Sequence, residues 1–358
     1  MTFYKYKKLG FTGLANLGNT CFLNSCIQAL SHTYELSEFL SSEKCASHIK
    51  SELPDSMITK EWNDLREIMW KNNGTVSPNR FVYFIQQIAN AKDRELFTGW
   101  AQNDMTEFLL FVIDCIHNSV ARSITMKITG KIENSVDKLA VECYKMLEGI
   151  YNKEYSEVMD IFYGIYVSEL MSSDEKLSHA IKPESYFILD LPIPKRNASL
   201  IDCFDAFTSA EMMEGENAWF NETTGQKEDV KKKITFWNFP KILVITLKRF
   251  SADGEKKIQD LVDFPIENLD LSKYVSGYNP KQYVYDLYAV CNHMGGTQGG
   301  HYTAFVKTAD NEWVHFNDTR VERRLNPSQI VTPKAYCLFF RRTHGDQTTA
   351  IRNPSPLN

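Results

Sequence analysis

Residues Gly13 to Leu30 read GLANLGNTCFLNSCIQAL, and the change of character at Cys21 decides what the remaining chain has to build. Asn16, Gly18 and Asn19 are turn formers, Thr20 is placed to cap a helix, and Cys21 falls in its first turn. Leu23, Cys26, Ile27 and Leu30 then line one apolar face. A helix N-terminus favours a thiolate over a thiol, and the thiolate is the form that attacks. The helix end supplies only about 0.3 to 1 kcal/mol, whereas one unit of pKa depression takes about 1.4. A nucleophilic Cys21 therefore needs a histidine brought from elsewhere in the fold.

Outward from this helix, the chain to about Gly99 reads as helical, with Glu61 to Trp70 and Pro78 to Ala91 showing apolar residues at three-to-four spacing. Asp104 is placed to cap a core helix that carries Met105, Phe108, Leu109, Val112 and Ile116 on one stripe. Lys138 to Ile150 continues the helical pattern, and Ile161 to Leu170 is strand-like. Beyond Pro183 the period moves towards two, with a short helix expected at Ile201 to Phe207. Lys241 to Phe250 (KILVITLKRF) suits a strand buried on both faces, followed by strands at Val284 to Asn292, His301 to Lys307, Trp313 to Asn317 and Ala335 to Arg341. A glycine-rich loop, HMGGTQGG, occupies His293 to Gly300. A helical half followed by a strand-rich half predicts an α+β fold with a cleft between them. No linker forces a split of residues 1–343, whose length permits one large domain or two smaller ones, and 344–358 is expected to be a disordered tail.

Composition narrows the function. The chain has 358 residues, is 43% hydrophobic and carries a formal charge of -5, so it can bury a large core and has no basic face for a nucleic acid. An acidic surface suits a basic ligand better. The N-terminal MTFYKYKK lacks an apolar signal region and no run is long enough to span a bilayer, so a soluble, intracellular, cytoplasmic protein is expected, with the nucleus left open. Cysteines 21, 26, 45, 115, 143, 203, 291 and 337 show no paired spacing and read as free, buried thiols of a reducing compartment. The Asn-x-Ser/Thr triplets at Asn73, Asn197, Asn221 and Asn317 are then chance matches.

Of the eight histidines, His301 stands out as the partner of Cys21, because it opens a strand directly after Gly299-Gly300 and a loop able to close over substrate. A satisfied structural histidine is the alternative. In VHFND, Asn317 and Asp318 end the next strand, where either could accept from the far imidazole nitrogen; an ordinary Asn-Asp turn would read the same way. Asn16 could turn its amide, with the Cys21 backbone N–H, towards a developing oxyanion, or simply hold its own turn. Asp104 and Glu107 could cap their helix or receive arginines at its mouth.

Five ordered segments together resemble the ubiquitin-specific proteases: GLANLGNTCFLNSCIQAL, QNDMTEFL at Gln102 to Leu109, LKRF at Leu247 to Phe250, GGHYTAFV at Gly299 to Val306, and WVHFND at Trp313 to Asp318. The likeness covers about Thr12 to Arg342. It implies a papain-like fold with helical thumb, palm and antiparallel fingers, and a thiol protease that cuts after the C-terminal glycine of ubiquitin. By the same resemblance Cys21 is the nucleophile, His301 the base, Asn317 the third triad member with Asp318 beside it, and Asn16 the oxyanion-hole asparagine. Gln102, Asp104, Glu107, Gly299, Gly300 and Tyr302 would receive the ubiquitin tail, with the two carboxylates taking its arginines. The partners implied are ubiquitin and ubiquitinated proteins, bound by a monomer without a cofactor; related ubiquitin-like modifiers and a catalytically inactive ubiquitin-binding module are the competing readings. Many relatives carry two C-x-x-C zinc pairs in the fingers. The matching regions here, near Ser168 to Ser178 and Trp219 to Gly225, have no cysteine, so no metal is expected.

Overall fold

The computed structural model describes residues 3–71, 73–251, 253–297 and 299–343; the expected tail, 344–358, lies outside them. Helices α1 (Cys21–Ser31), α2 (Tyr34–Leu40), α3 (Glu43–His48), α4 (Asp55–Lys71), α5 (Asn79–Ala91), α6 (Met105–Val120), α7 (Ser135–Tyr151) and α8 (Glu157–Phe162) fill the first half. Every residue of α1 is buried, not only its apolar face. Its polar side chains are accommodated by backbone acceptors: Gln28 Nε2 donates to Thr12 O at 2.8 Å and Ser25 Oγ to Phe22 O at 3.0 Å.

The stripe expected on α6 is buried in full, and Asp104 caps the helix as its sequence position suggests. Asp104 Oδ1 accepts from the backbone N–H of Thr106 at 2.8 Å and of Glu107 at 3.1 Å. Thr20 sits at the N-cap of α1 without capping it; its hydroxyl turns back and accepts from Leu17 N at 2.9 Å. The strand expected over Ile161 to Leu170 is divided. Ile161 and Phe162 close α8, and extended structure starts only at Gly164, where the Tyr186 ring lies so near the backbone that an added Cβ would meet it at 2.6 Å.

A short parallel pair, β1 (Gly13–Leu14) with β2 (Thr75–Val76), fastens the segment before α1. The strands β3 (Gly164–Ser172), β4 (Ser178–Tyr186), β5 (Ile188–Leu191), β6 (Glu211–Met213), β7 (Trp219–Asn221), β8 (Gln226–Glu228), β9 (Val230–Asn238) and β10 (Ile242–Leu247) follow, with helix α9 (Leu200–Thr208) after β5. Then come β11 (Leu269–Asp270), β12 (Val284–Gly295), β13 (Gly300–Lys307), β14 (Trp313–Asn317), β15 (Arg320–Glu322) and β16 (Ala335–Arg342). The main sheet runs β15-β14-β13-β12-β16-β10-β5, with β11 on β12; an outlying sheet runs β4-β3-β9-β6, and β7 pairs with β8.

The main sheet is covered on both faces, which is why β10 and β16 read as near-continuous apolar runs. Strand alternation sends Val244, Cys291 and Phe339 towards α1 and α6, and Leu243, Ile245, Leu338 and Phe340 towards α9. The two cores thus clamp the sheet against the helix that carries Cys21. All eight cysteines are free and buried, as expected. No helix among the described residues is long and apolar enough to cross a membrane.

One cysteine-free stretch, Ser168 to Ser178, runs along the outlying sheet, and the other, Trp219 to Gly225, opens the separate β7–β8 pair. Among the described residues, no group of three or more His, Cys, Asp or Glu is placed to hold a metal ion. The tip is knit instead by the His179 and Trp219 rings, 5.4 Å apart, and by Glu228, which accepts from Asn221 Nδ2 at 2.9 Å and Thr224 Oγ1 at 2.8 Å.

Candidate active site

The site lies where the N-terminus of α1 meets the first residues of β13. Cys21 is 2% exposed, and its sulfur is hydrogen-bonded by the backbone of Tyr302, the residue after His301. Burial pushes the thiol above its ordinary value and the nearby Asp318 carboxylate adds to the rise, while the backbone bonds from Tyr302, Phe22 and Cys21 work against it. The expected pull of the helix end towards thiolate is therefore outweighed by desolvation in the unliganded chain. Among the described residues no hydrogen bond joins the sulfur to the His301 ring.

His301 Nε2 lies 2.7 Å from Asn317 Oδ1. A carbonyl oxygen only accepts, so with the amide oriented this way Nε2 carries the proton and Nδ1 is the basic nitrogen. The bond depends on antiparallel pairing of β13 with β14, in which Ala304 faces Phe316 and Lys307 faces Trp313. Phe316 is buried in the core beneath, and this anchors the strand end that presents Asn317.

Asp318 serves a different neighbour. Its Oδ2 accepts from Asn16 Nδ2 at 3.0 Å and its Oδ1 from Asn24 Nδ2 at 2.8 Å. Asn16 is also held through Oδ1, which accepts from Gly18 N at 3.0 Å and Thr20 N at 3.2 Å. One amide hydrogen of Asn16 remains for a ligand beside Cys21, so the turn-holding and oxyanion readings of this residue are compatible. Asp318 itself adopts a left-handed backbone with φ 49° and gives its carbonyl to Leu14 N at 2.9 Å. Gly13 is required at that approach: a Cβ there would sit 2.6 Å from Thr319 O. The Asn-Asp turn is thus both a turn and a structural link between the two halves.

The six residues expected to receive a peptide tail divide into two sets. Glu107 is exposed in the first turn of α6. Asp104 is internally engaged, since besides capping α6 its Oδ2 accepts from Tyr336 OH at 2.6 Å and Tyr302 OH at 3.3 Å. Tyr302 is buried, its ring 4.6 Å from that of His293, so its side chain supports the wall instead of forming an open surface. Gln102 grips the backbone of Gly300 in both directions: Gly300 N donates to its Oε1 at 2.8 Å and its Nε2 donates to Gly300 O. Gly299 and Gly300 lie in this clamp with no room for a side chain. A Cβ on Gly300 would meet Met294 O at 2.2 Å and His293 Nε2 at 2.4 Å.

Sequence reasoning passed over Asn24 and His293. Asn24 had a readable sign, an amide one helical turn after Cys21 on a helix otherwise destined for the core. His293 had none, because its surroundings are Phe250, Tyr302 and Tyr336, drawn from three separate segments.

A family model described as ubiquitin carboxyl-terminal hydrolase matches residues 12–340. The chain is 36% identical over 343 residues to ubiquitin carboxyl-terminal hydrolase 2 of Homo sapiens, covering 92% of this chain and 55% of that protein. It is 31% identical over 359 residues to ubiquitin carboxyl-terminal hydrolase 21 of Homo sapiens, covering 93% and 61%. It therefore spans only about half to three-fifths of the length of these relatives. Among solved structures, the SAGA Ubp8/Sgf11/Sus1/Sgf73 DUB module bound to ubiquitin aldehyde has a chain of the same fold, with a TM-score of 0.72 and 22% identity over 95% of this chain and 71% of that one.

Proposed function

The chain belongs to the ubiquitin carboxyl-terminal hydrolase family, and from that premise we propose that it is a cysteine-type deubiquitinase, cutting the peptide or isopeptide bond after the C-terminal glycine of ubiquitin on ubiquitinated proteins. The observation that carries this reading is the pairing of His301 Nε2 with Asn317 Oδ1, which leaves Nδ1 basic on the strand whose next backbone group contacts the Cys21 sulfur.

In this reading the substrate tail completes the site. With the tail in the cleft, the His301 ring bonds the sulfur, and Nδ1 takes the thiol proton as sulfur attacks the terminal glycine carbonyl. The Cys21 backbone N–H and the free Asn16 amide hydrogen stabilise the oxyanion, where one such donor is worth about 2.7 to 4 kcal/mol. Asp318 fixes the direction of that Asn16 amide. Collapse of the tetrahedral intermediate breaks the C–N bond, Nδ1 delivers the proton to the departing amine, and a thioester is left on Cys21. Water, deprotonated by the same nitrogen, then releases the ubiquitin carboxylate and the thiol. Every side chain used in these steps belongs to this chain, and the only other reactants are the substrate and one water. Glu107, with Asp104 behind it, offers negative charge to a basic tail, and the narrow passage beside Gly299 and Gly300 admits residues without side chains.

A panel of ubiquitin and related modifiers bearing a C-terminal electrophile tests the proposal. A ubiquitin adduct mapped by mass spectrometry to Cys21 is the expected result. No adduct, or one on another cysteine, overturns it, and preferential reaction of a different modifier reassigns the substrate. Gly300→Ala should lower kcat/KM for a ubiquitin C-terminal fluorogenic amide by about a hundredfold, because its Cβ cannot fit without separating β12 from β13. Unchanged turnover in a folded Gly300→Ala protein would remove the narrow passage from the mechanism.

A further inference from the structure

Lys257 makes an unusual set of contacts for a half-buried lysine. Its Nζ donates to His293 O at 2.8 Å and to Gly295 O at 3.1 Å, and lies 2.9 Å from His293 Nδ1. These three acceptors match the three donors of an ammonium group. No carboxylate pairs with it among the described residues, so it is not one half of a surface ion pair.

The acceptors lie at a particular place in the sheet. Gly295 is the register partner of Gly300, and Met294 of His301. Lys257 thus holds the far edge of the hairpin on which the proposed base is mounted. Gln102 holds the near edge, through both backbone groups of Gly300. The two clips together fix the backbone of both strands of the hairpin immediately beside His301.

Lys257 also projects from a fixed base. Behind it, the fully buried Arg249 donates from Nε to Ala335 O at 2.6 Å and from Nη1 to Ile258 O at 3.0 Å and Asp260 O at 2.9 Å. Ile258 N returns a bond to Arg249 O at 2.6 Å. The ammonium transmits this anchorage to β12.

It also sets the state of His293. Because an ammonium only donates, Nδ1 must accept and Nε2 must carry the hydrogen, the nitrogen that faces Gly300. His293 stays neutral at physiological pH, since burial, reinforced by the Lys257 charge, lowers its pKa to about 4.

We propose that Lys257 is a positioning residue for the hydrolysis described above, its ammonium clipping the His293–Gly295 edge so that the substrate's terminal glycines and His301 are held in register with Cys21. The inference rests on that functional reading and adds to it a residue that touches neither substrate nor sulfur. A methionine keeps the length and packing of the stem but leaves His293 O and Gly295 O without their donor, and the edge then relaxes towards water. An arginine keeps a multiple donor. Misalignment at the scissile bond acts on turnover, whereas contacts with the ubiquitin globule dominate binding.

Steady-state kinetics on a ubiquitin C-terminal amide should show kcat down about 20-fold in Lys257→Met with KM within about threefold, and Lys257→Arg keeping at least about a third of wild-type kcat. Both variants should melt within a few degrees of wild type. Hydrogen exchange at the amides from His293 to Gly296 should quicken about tenfold in Lys257→Met alone. Unchanged kcat, a loss confined to KM, or equal losses in both variants that track a lowered melting temperature overturns the inference. Should wild type fail to hydrolyse the amide, the functional reading fails, and unchanged exchange in Lys257→Met would then separately reject the clip.

Discussion

Cys21→Ala should abolish hydrolysis of a ubiquitin C-terminal amide, with turnover down by about 10⁴-fold or more, while the affinity for ubiquitin stays within about threefold. The reason is that the substitution removes the nucleophile and little else. Alanine is the best helix former and fits the first turn of α1, and the lost sulfur leaves a void of less than one methylene-rich side chain. Asn16, Asn24 and Asp318 keep their mutual bonds, because none of them involves the thiol. Isothermal titration with ubiquitin, beside the fluorogenic assay, separates the two quantities. Residual turnover above the background of the assay would reject Cys21 as the attacking group. The resting thiol also has a definite pH signature. Burial holds its pKa above the ordinary 9.0, so the unliganded sulfur is protonated at neutral pH, and its alkylation by a haloacetamide should climb with pH through and beyond that value.

His301→Ala is expected to cost about 10³-fold in kcat/KM at neutral pH, and its deficit should shrink as pH rises. A buried thiol with a raised pKa has few routes to thiolate at neutral pH, and in the proposed mechanism His301 Nδ1 supplies one. Without the base, hydroxide must do the work, so activity of the variant should grow about tenfold per pH unit until the thiol itself titrates. Wild type, with His301 acting as proposed, should not show that steep limb. The comparison is a full pH profile of both proteins on the same substrate. A deficit that stays constant across pH would assign His301 a packing role, and the bond to Asn317 would then be structural.

The sequence was most legible where a property is local. The stripe on α6 and its Asp104 cap depend on a few consecutive residues, and the strand at Trp313 to Asn317 has the bounds expected of it. Boundaries failed where pairing with a distant segment decides them, as when α8 takes Ile161 and Phe162 and β3 begins only at Gly164, the partner of Tyr186. The candidate site follows the same division. Cys21, His301 and Asn317 announce themselves through turn, glycine and strand-end signals. The second duty of Asp104, accepting from Tyr336, and the packing of Tyr302 on His293 could not be read, because these partners lie far along the chain or in another segment. Thr20 looked like a cap and is not one, since the Asn16 turn competes successfully for its hydroxyl. The resting state of the thiol was hidden as well, for desolvation depends on what the second half of the chain lays over it.

The last strand of the main sheet, β16, is inserted between β12 and β10. Until it arrives, the ribbons on either side of it have no edge in common, and the core facing α1 lacks Phe339 and Cys337. The helix that bears Cys21 is therefore synthesised long before the strand that completes the sheet packed against it, and the two faces can close on each other only once β16 has been made.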